Sequence, residues 1–222
     1  MGAGYNPPVA EAVEEQLNVY DEAGEVVGVM PRGAAKASGL AVGAVNALVV
    51  NARSEVLLQR RPADKENGGL WDKSVGGHVS AGESFDRTLV RETGEELFDD
   101  PASSRVALAS TPEEFAARIR SGAARDAVVL QRAGLQLNLR DVRHAPGRAG
   151  VRNVLYHLAI YTGRTELTLA GFRPQPSEVD ELRWASAGEL DRLLLAGGLA
   201  PNMAFLWLSH GHALLKLARA RD

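Results

Sequence analysis

The chain has 222 residues, of which 45% are hydrophobic and 24% are charged. This composition is typical of a globular protein, and the length fits one elaborated domain with a substantial core. Because the sequence contains no cysteine, disulfide scaffolds, thiolate zinc sites and thiol nucleophiles are excluded. The net charge of −3 provides no general attraction to nucleic acid or to an anionic membrane. The apolar stretch 40–50 is too short to cross a bilayer and the N-terminus lacks a secretory signal, so we expect a cytoplasmic protein.

The N-terminal part of the chain is predicted to contain two hairpins. Residues 1–17 form a flexible lead-in, and residues 18–29 then indicate two short strands around the glycine-containing turn 21–24. The second hairpin is predicted from strands at 44–50 and 56–59. Both segments are rich in valine and leucine, which suit half-buried strands.

A glycine-rich segment, 60–82, follows the second hairpin. So many glycines predict a loop, which we expect to be interrupted by a brief strand at 71–75. Ser84 is a suitable N-cap for a helix that runs to about Leu97. Asp86, in the first turn of that helix, would interact favourably with the helix dipole.

Residues 98–133 are alanine-rich and are predicted to form a helical insertion. Thr111 and Glu114 form a capping-box pattern at the start of one helix, and Pro112 suits its first position. A second short helix is predicted over 126–133, because a glycine follows it as a suitable C-terminal cap.

The remaining sequence alternates between strand and helix patterns. Strands are predicted at 135–139, 151–161 and 166–169, and helices at 186–195 and 204–218. Strands in both halves of the chain, with helices between them, predict a mixed α/β sheet that is covered by helices in one domain.

Three carboxylates share one face of the helix that begins after Ser84. Glu92, Glu95 and Glu96 stand at positions i, i+3 and i+4, which brings their side chains within about 5–6 Å of one another. Carboxylates this close repel, and the repulsion grows where water is excluded. A hard divalent cation such as Mg²⁺ offsets that cost, whereas the alternative interpretation is a solvated acidic face without a ligand.

The spacing of residues around this helix resembles the Nudix box, the signature of the Nudix hydrolase family. The matching residues are Gly77, Glu83, Arg91, Glu92, Glu95 and Glu96. Thr93, Phe98 and Asp99 depart from the box at positions that pack or terminate the helix. These departures therefore affect only the expected end of the helix, and the candidate metal-binding carboxylates are all present.

Segments outside the box resemble the Nudix subgroup that includes type I isopentenyl diphosphate isomerase and its hydrolase relatives. These segments are 18–21, 57–61, 71–72, 74–79 and 182–184. The resemblance implies an α/β fold, an α/β/α sandwich with a mixed β-sheet and an N-terminal β-hairpin extension. It further implies a single Nudix domain over residues 18–222, with 98–133 as an insertion.

The resemblance also implies Mg²⁺-dependent hydrolysis of the diphosphate bond of a nucleoside diphosphate derivative, with Mn²⁺ as a possible substitute. The implied metal ligands are the carboxylates of Glu92 and Glu96, the carboxylate of Glu95 directly or through water, and the carbonyl of Gly76. Glu83 and Arg91 complete the implied catalytic set, because they would orient the helix and its carboxylates.

Cationic residues near the glycine-rich loop are candidates for binding the substrate diphosphate. The predicted substrate-binding residues are Arg60, Lys65, Lys73 and His78. Arg60 and Arg61 alternate on a strand, so only one of them can face the site. His78 has a second interpretation, as a loop histidine that bonds only to backbone. The candidates for a general base outside the box are Glu178, Asp180 and Glu181.

Isomerase chemistry is disfavoured by individual residues. Gly76 stands where the related isomerases have a cysteine that acts as acid and base, and the stretch 34–42 lacks the histidines that bind metal there. A rival hypothesis is an isomerase-like protein without isomerase activity that binds a nucleotide or diphosphate without turnover. The expected partner is a small-molecule diphosphate rather than a nucleic acid polymer or a membrane, and a homodimer is possible because Nudix proteins are often dimers.

Overall fold

The computed structural model describes residues 14–144 and 151–219. The strands in this part of the chain are β1 (Gln16–Tyr20), β2 (Val26–Pro31), β3 (Ala41–Val50), β4 (Val56–Arg60), β5 (Trp71–Asp72), β6 (Val75–His78), β7 (Val106–Ala109), β8 (Val128–His144), β9 (Val151–Arg164) and β10 (Glu181–Ala185). The helices are α1 (Arg32–Ala37), α2 (Phe85–Phe98), α3 (Pro112–Arg120), α4 (Ala187–Leu195) and α5 (Pro201–Ala218). None of the helices in these ranges is long and apolar enough to cross a membrane.

The strands form one mixed sheet in the order β10-β4-β3-β9-β8-β7. The central pair, β3 and β9, is parallel over the whole length of β3, and β7 is parallel to β8. The other neighbours are antiparallel, including β6 on β3 and the N-terminal hairpin β1–β2. This pattern is a mixed sheet with an N-terminal hairpin, as the sequence predicts.

Helices cover both faces of the sheet. Alternate side chains of β3 point to opposite faces, and Val45, Ala47 and Val49 share one buried cluster with Leu89 and Leu97 of α2. On the other face the buried cluster combines residues of β3, α4 and α5, namely Leu48, Val50, Leu190, Met203, Leu206 and Leu214. The α/β/α sandwich is therefore confirmed.

Several elements lie where local sequence signals predict them. Both N-terminal hairpins are present, and the Ser84 hydroxyl caps α2 by accepting a hydrogen bond from the backbone N–H of Arg87. Thr111 caps α3 in the same way through Glu114. The predicted lead-in extends too far, because Leu17 is already buried in β1, while residues 1–13 lie outside the described residues.

Two predicted elements are wrong. The segment 126–133 contains the start of β8 instead of a helix, and its residues Val128–Leu130 are fully buried between β7, β9 and the neighbouring helices. The segment 166–169 is irregular and leads into a 3₁₀ turn at Leu169–Gly171. The insertion 98–133 is thus only partly helical, since α3 is accompanied by β7 and the beginning of β8.

The conformation at the end of α2 explains how this helix terminates without a glycine. Asp99 adopts the left-handed conformation, with φ of 53°, and its N–H donates to the carbonyl of Glu95. The chain then folds back so that the N–H of Asp100 donates to the carbonyl of Gly94 at 3.1 Å, while the Asp100 carbonyl packs on the Gly94 Cα. A Cβ at position 94 would collide with that backbone oxygen.

This contact reverses the expected effect of replacing Gly94 with alanine. Helix propensity alone predicts a gain of about 1 kcal/mol in stability. Because the collision is with backbone, we expect Gly94→Ala to lower the free energy of unfolding by about 1–3 kcal/mol in urea denaturation. Gly188→Ala in α4 is the control, since a Cβ there meets only a side-chain atom of Arg192 at 3.9 Å. Stabilisation by Gly94→Ala would contradict the described packing.

Candidate active site

The glycine pair of β6 lies directly against α2. The backbone N–H of Gly76 donates a hydrogen bond of 3.1 Å to Oε2 of Glu96. The carboxylate of Glu92 occupies the space that a Cβ at Gly77 would need. A Cβ at position 77 would therefore force the side chain of Glu92 to move from its place beside Arg91.

One guanidinium holds three carboxylates around α2. Arg91 contacts Glu83 (Nε to Oε1, 3.1 Å), Glu92 (Nη2 to Oε1, 3.0 Å) and Glu95 (Nη1 to Oε2, 2.8 Å). Thr88 donates a further hydrogen bond of 2.8 Å to Glu83. Burial opposes the ionisation of Glu83, but the bonds from Arg91 and Thr88 outweigh it and hold the pKa of Glu83 below its usual value. Arg91 thus offsets much of the repulsion along the acidic face.

The ionised forms of two carboxylates on this face, Glu92 and Glu96, are only partly compensated by their neighbours. Burial raises the pKa of Glu92 to about 7, with Glu95 adding to the rise and Arg91 opposing it. Burial and the neighbouring charge of Glu92 raise the pKa of Glu96 to about 8, although Lys73 and hydrogen bonds oppose the shift. Both groups are held in surroundings that would favour an additional cation.

The carboxylates do not form a ready-made metal cage. Within residues 14–144 and 151–219, no three His, Asp or Glu side chains converge closely enough to hold a metal ion. Arg91 holds Glu95, and the backbone of Gly76 holds Glu96. Mg²⁺ does not require such a cage, since it keeps several waters and commonly uses one or two carboxylates together with substrate phosphates. The partly buried pair Glu92 and Glu96 fits this mode of binding.

The acidic face opens into a pocket of about 580 Å³. The predicted metal-binding residues Gly76, Glu92, Glu95 and Glu96 all line it, as do Arg91 and His78. The ring of His78 lies 6.1 Å from that of Tyr156 on β9. Tyr156 also lines the pocket, together with apolar residues from the central strands and α5, namely Ala44, Leu139, Leu158, Pro201 and Phe205. The pocket therefore combines an acidic wall with an aromatic and apolar one.

Two cations of the pocket wall are held by one buried carboxylate. Asp72 accepts from Nζ of Lys73 at 3.2 Å and from Nη1 of Arg61 at 3.2 Å. Burial alone would raise the pKa of Asp72, but Lys73 and Arg61 outweigh it and lower the pKa below its usual value. Lys73 and Arg61 both line the pocket. Of the predicted substrate-binding residues, Lys73 therefore lies in the pocket wall together with His78.

Arg60 and Lys65 lie elsewhere, which corrects the predicted substrate-binding set. The guanidinium of Arg60 binds Asp180 at 2.8 Å and Glu181 at 3.1 Å, and it does not line the pocket. Successive residues of an extended chain point to opposite sides, so Arg61, which directly follows β4, takes the inner position. Lys65 is bound to Glu178 at 2.8 Å and is likewise absent from the pocket wall.

Several acids of the pocket were not predicted from the sequence. Among the predicted general bases only Glu178 lines the pocket, whereas Asp180 and Glu181 are the partners of Arg60. Unpredicted acids that line the pocket are Glu15, Glu66, Asp72 and Asp141. Glu15 lies in the segment that was predicted to be a flexible lead-in, so no local pattern could have found it.

Comparison with proteins of known sequence finds two relatives of similar identity. An uncharacterized Nudix hydrolase from Nostoc sp. is 39% identical over 85 residues, which cover 37% of this chain and 50% of that protein. An uncharacterized Nudix hydrolase from Streptomyces coelicolor is 39% identical over 87 residues, which cover 39% of this chain and 48% of that protein. The match therefore spans about half the length of each relative.

Solved structures and a family model extend the match over most of the chain. The crystal structure of DR0079 from Deinococcus radiodurans has a TM-score of 0.55 at 19% sequence identity, covering 92% of this chain and 99% of that one. This likeness shows a shared fold. The family model of the NUDIX domain matches residues 41–205, which include β3, β6 and the whole of α2. The chain therefore belongs to the Nudix family.

Proposed function

We propose that the protein is a Mg²⁺-dependent hydrolase, able to use Mn²⁺, that cleaves the diphosphate bond of a nucleoside diphosphate derivative. One observation carries the proposal: the partly buried carboxylates of Glu92 and Glu96 line the same pocket as the cations Arg61 and Lys73. Groups that attract a divalent metal and groups that attract phosphate are thus combined in one cavity. Family membership supports hydrolysis as the reaction.

In this proposal the acidic face of α2 holds the metal. Glu92 and Glu96 are direct ligands, and Glu95 and the Gly76 carbonyl contribute directly or through water. When bound, Mg²⁺ neutralises the diphosphate and lowers the pKa of the attacking water. Arg91 keeps Glu92 and Glu95 in place through contacts of 3.0 Å and 2.8 Å, and Glu83 orients Arg91 in turn.

The substrate diphosphate would lie between the acidic helix and the two cations held by Asp72. Arg61 and Lys73 then bind its non-bridging oxygens, and His78 offers a further contact from β6. A water attacks one phosphorus, a new P–O bond forms, and the bridging P–O bond breaks. Glu178 is the candidate acceptor for the proton of that water, because it lines the pocket. The wall around Tyr156 and Phe205 is suited to the group that the diphosphate carries.

Two alternatives are less well supported. The resemblance to the isomerase-containing subgroup does not bring isomerase chemistry, because Gly76 replaces the cysteine and the stretch 34–42 contains no histidine. A pure diphosphate binder would not need the mutually repelling carboxylates of α2. A phosphate-coupled assay of a panel of nucleoside diphosphate derivatives, with Mg²⁺ or Mn²⁺ present, distinguishes the two functions. A hydrolase turns over at least one of these compounds, whereas a pure binder turns over none.

The first test removes the charge of Glu96. We expect Glu96→Gln to lower turnover of the best panel substrate by at least about 100-fold, since loss of a metal ligand should exceed the effect of losing a residue that supports one. The thermal midpoint should not fall, because a buried charge is replaced by a neutral side chain of the same shape. Glu113→Gln, on the exposed start of α3, is the control and should keep full activity. Undiminished turnover by Glu96→Gln would refute the assignment of the site.

The second test compares two adjacent arginines, Arg60 at the end of β4 and Arg61 directly after it. We expect Arg61→Gln to raise KM by about 10- to 100-fold, because a charge-assisted bond to phosphate is worth about 1.5–3 kcal/mol. Arg60→Gln should leave KM unchanged, since its guanidinium binds Asp180 and Glu181 outside the pocket. Steady-state kinetics of both variants give the two KM values for this comparison. If Arg60→Gln had the larger effect on KM, the proposed orientation of the substrate would be wrong.

A further inference from the structure

The sheet forks beside the candidate active site. β3 pairs with β4 at Val50 and Val56, but its earlier residues 44–47 pair with β6. Ser74 fills the resulting gap: its hydroxyl accepts from the N–H of Val49 at 2.7 Å and donates to the carbonyl of Leu57 at 2.6 Å. A single buried hydroxyl thereby satisfies two backbone groups that the diverging strands leave unpaired.

Gln59 connects this fork to the acidic helix. Its side-chain amide nitrogen donates to the carbonyl of Ser74 at 2.5 Å and to Oε2 of Glu96 at 3.1 Å. Only 6% of Gln59 is exposed. Both partners are pure acceptors when Glu96 is ionised, so the two N–H groups of the amide are fully used and its orientation is fixed. A methyl or carboxylate group in this position could not make both bonds.

The pattern of bonds leaves the two oxygens of Glu96 unequal. Oε2 accepts from the amide of Gln59 and from the N–H of Gly76, each at 3.1 Å. In the described part of the chain, the hydrogen bonds to this carboxylate are confined to Oε2, so Oε1 is the oxygen that remains for another ligand. The carboxylate is held by groups on two different strands, β4 and β6, and its rotation is therefore restricted.

We propose that Gln59, which lies outside the Nudix box, is a positioning residue that fixes Glu96 so that Oε1 is presented to the metal ion. The inference rests on the proposed function, because it assumes that Glu96 is a metal ligand. Residues that hold a metal ligand by hydrogen bonds commonly change metal affinity by 10- to 100-fold when they are replaced. Gln59 acts through Glu96 and does not need to touch the substrate.

The test measures binding of Mn²⁺ alone by electron paramagnetic resonance and, separately, the dependence of turnover on Mn²⁺ concentration. We expect Gln59→Met, which keeps the length of the side chain but donates no hydrogen bond, to raise the Kd for Mn²⁺ by at least about tenfold. Turnover should recover substantially at saturating Mn²⁺. A merely structural defect would instead lower turnover without moving the Mn²⁺ midpoint.

Gln131→Met is the matched control. Gln131 is also buried, at 5% exposure, and donates to a backbone carbonyl, that of Leu217, away from the pocket. Its replacement should leave the Kd for Mn²⁺ unchanged. Gln59→Asn, which is one methylene shorter and can keep only one of the two bonds, carries the test if Gln59→Met does not fold, and it should also weaken Mn²⁺ binding.

The possible outcomes separate this inference from the proposed function. If the wild-type protein binds Mn²⁺ and the folded Gln59 variants bind it within twofold, Gln59 is not a positioning residue but the metal site stands. An equal loss in Gln131→Met would also overturn the role of Gln59. If the wild-type protein binds neither Mn²⁺ nor Mg²⁺, the proposed metal-dependent function fails together with the inference.

Discussion

The partial burial of Glu92 and Glu96 on one face of α2 is the constraint on which the rest of the site depends. Carboxylates that are shielded from water are stabilised by protonation, by an ion pair or by a bound cation. Arg91 compensates Glu92, and the amide of Gln59 with the N–H of Gly76 compensates Glu96, yet the pKa values of about 7 and 8 show that the compensation is incomplete. Because the compensation is incomplete, the ionised forms of these carboxylates are destabilised, and a divalent cation near them would be favoured.

The close contact between α2 and β6 follows from that constraint. A backbone N–H can reach Glu96 only if the strand lies directly on the helix, and the absence of a side chain at Gly77 allows this approach. At the other end of the helix, Gly94 admits the carbonyl of Asp100, so the chain turns back immediately after the last carboxylate. The missing side chain leaves room for the Glu92 carboxylate at Gly77 and for a backbone carbonyl at Gly94, so glycine serves close packing and not flexibility in both places.

Local patterns in the sequence predict much of this structure. They do not predict features that depend on residues distant in sequence but close in space. The caps at Ser84 and Thr111 and the carboxylate spacing of α2 depend on residues three or four positions apart, so they can be read directly. The sequence pattern predicts a helix at 128–130, where the structure has a strand. Pairing with β7 and β9 decides the conformation there, and the local pattern does not contain that information. Which of Arg60 and Arg61 faces the pocket is likewise decided by the sheet, since alternation along a strand does not show which of its faces points to the pocket.

The absence of a side chain at Gly76 leaves room for a cation in the pocket. A Cβ at Gly76 would overlap the end of the Lys73 side chain, whose ammonium group is paired with the buried Asp72. A side chain at position 76 would therefore force the end of Lys73 to move from its present place in the pocket wall. Because position 76 is glycine, Lys73 can lie against the backbone of β6 and line the same pocket as the carboxylates of α2. An ammonium group in this place is a point charge that suits phosphate.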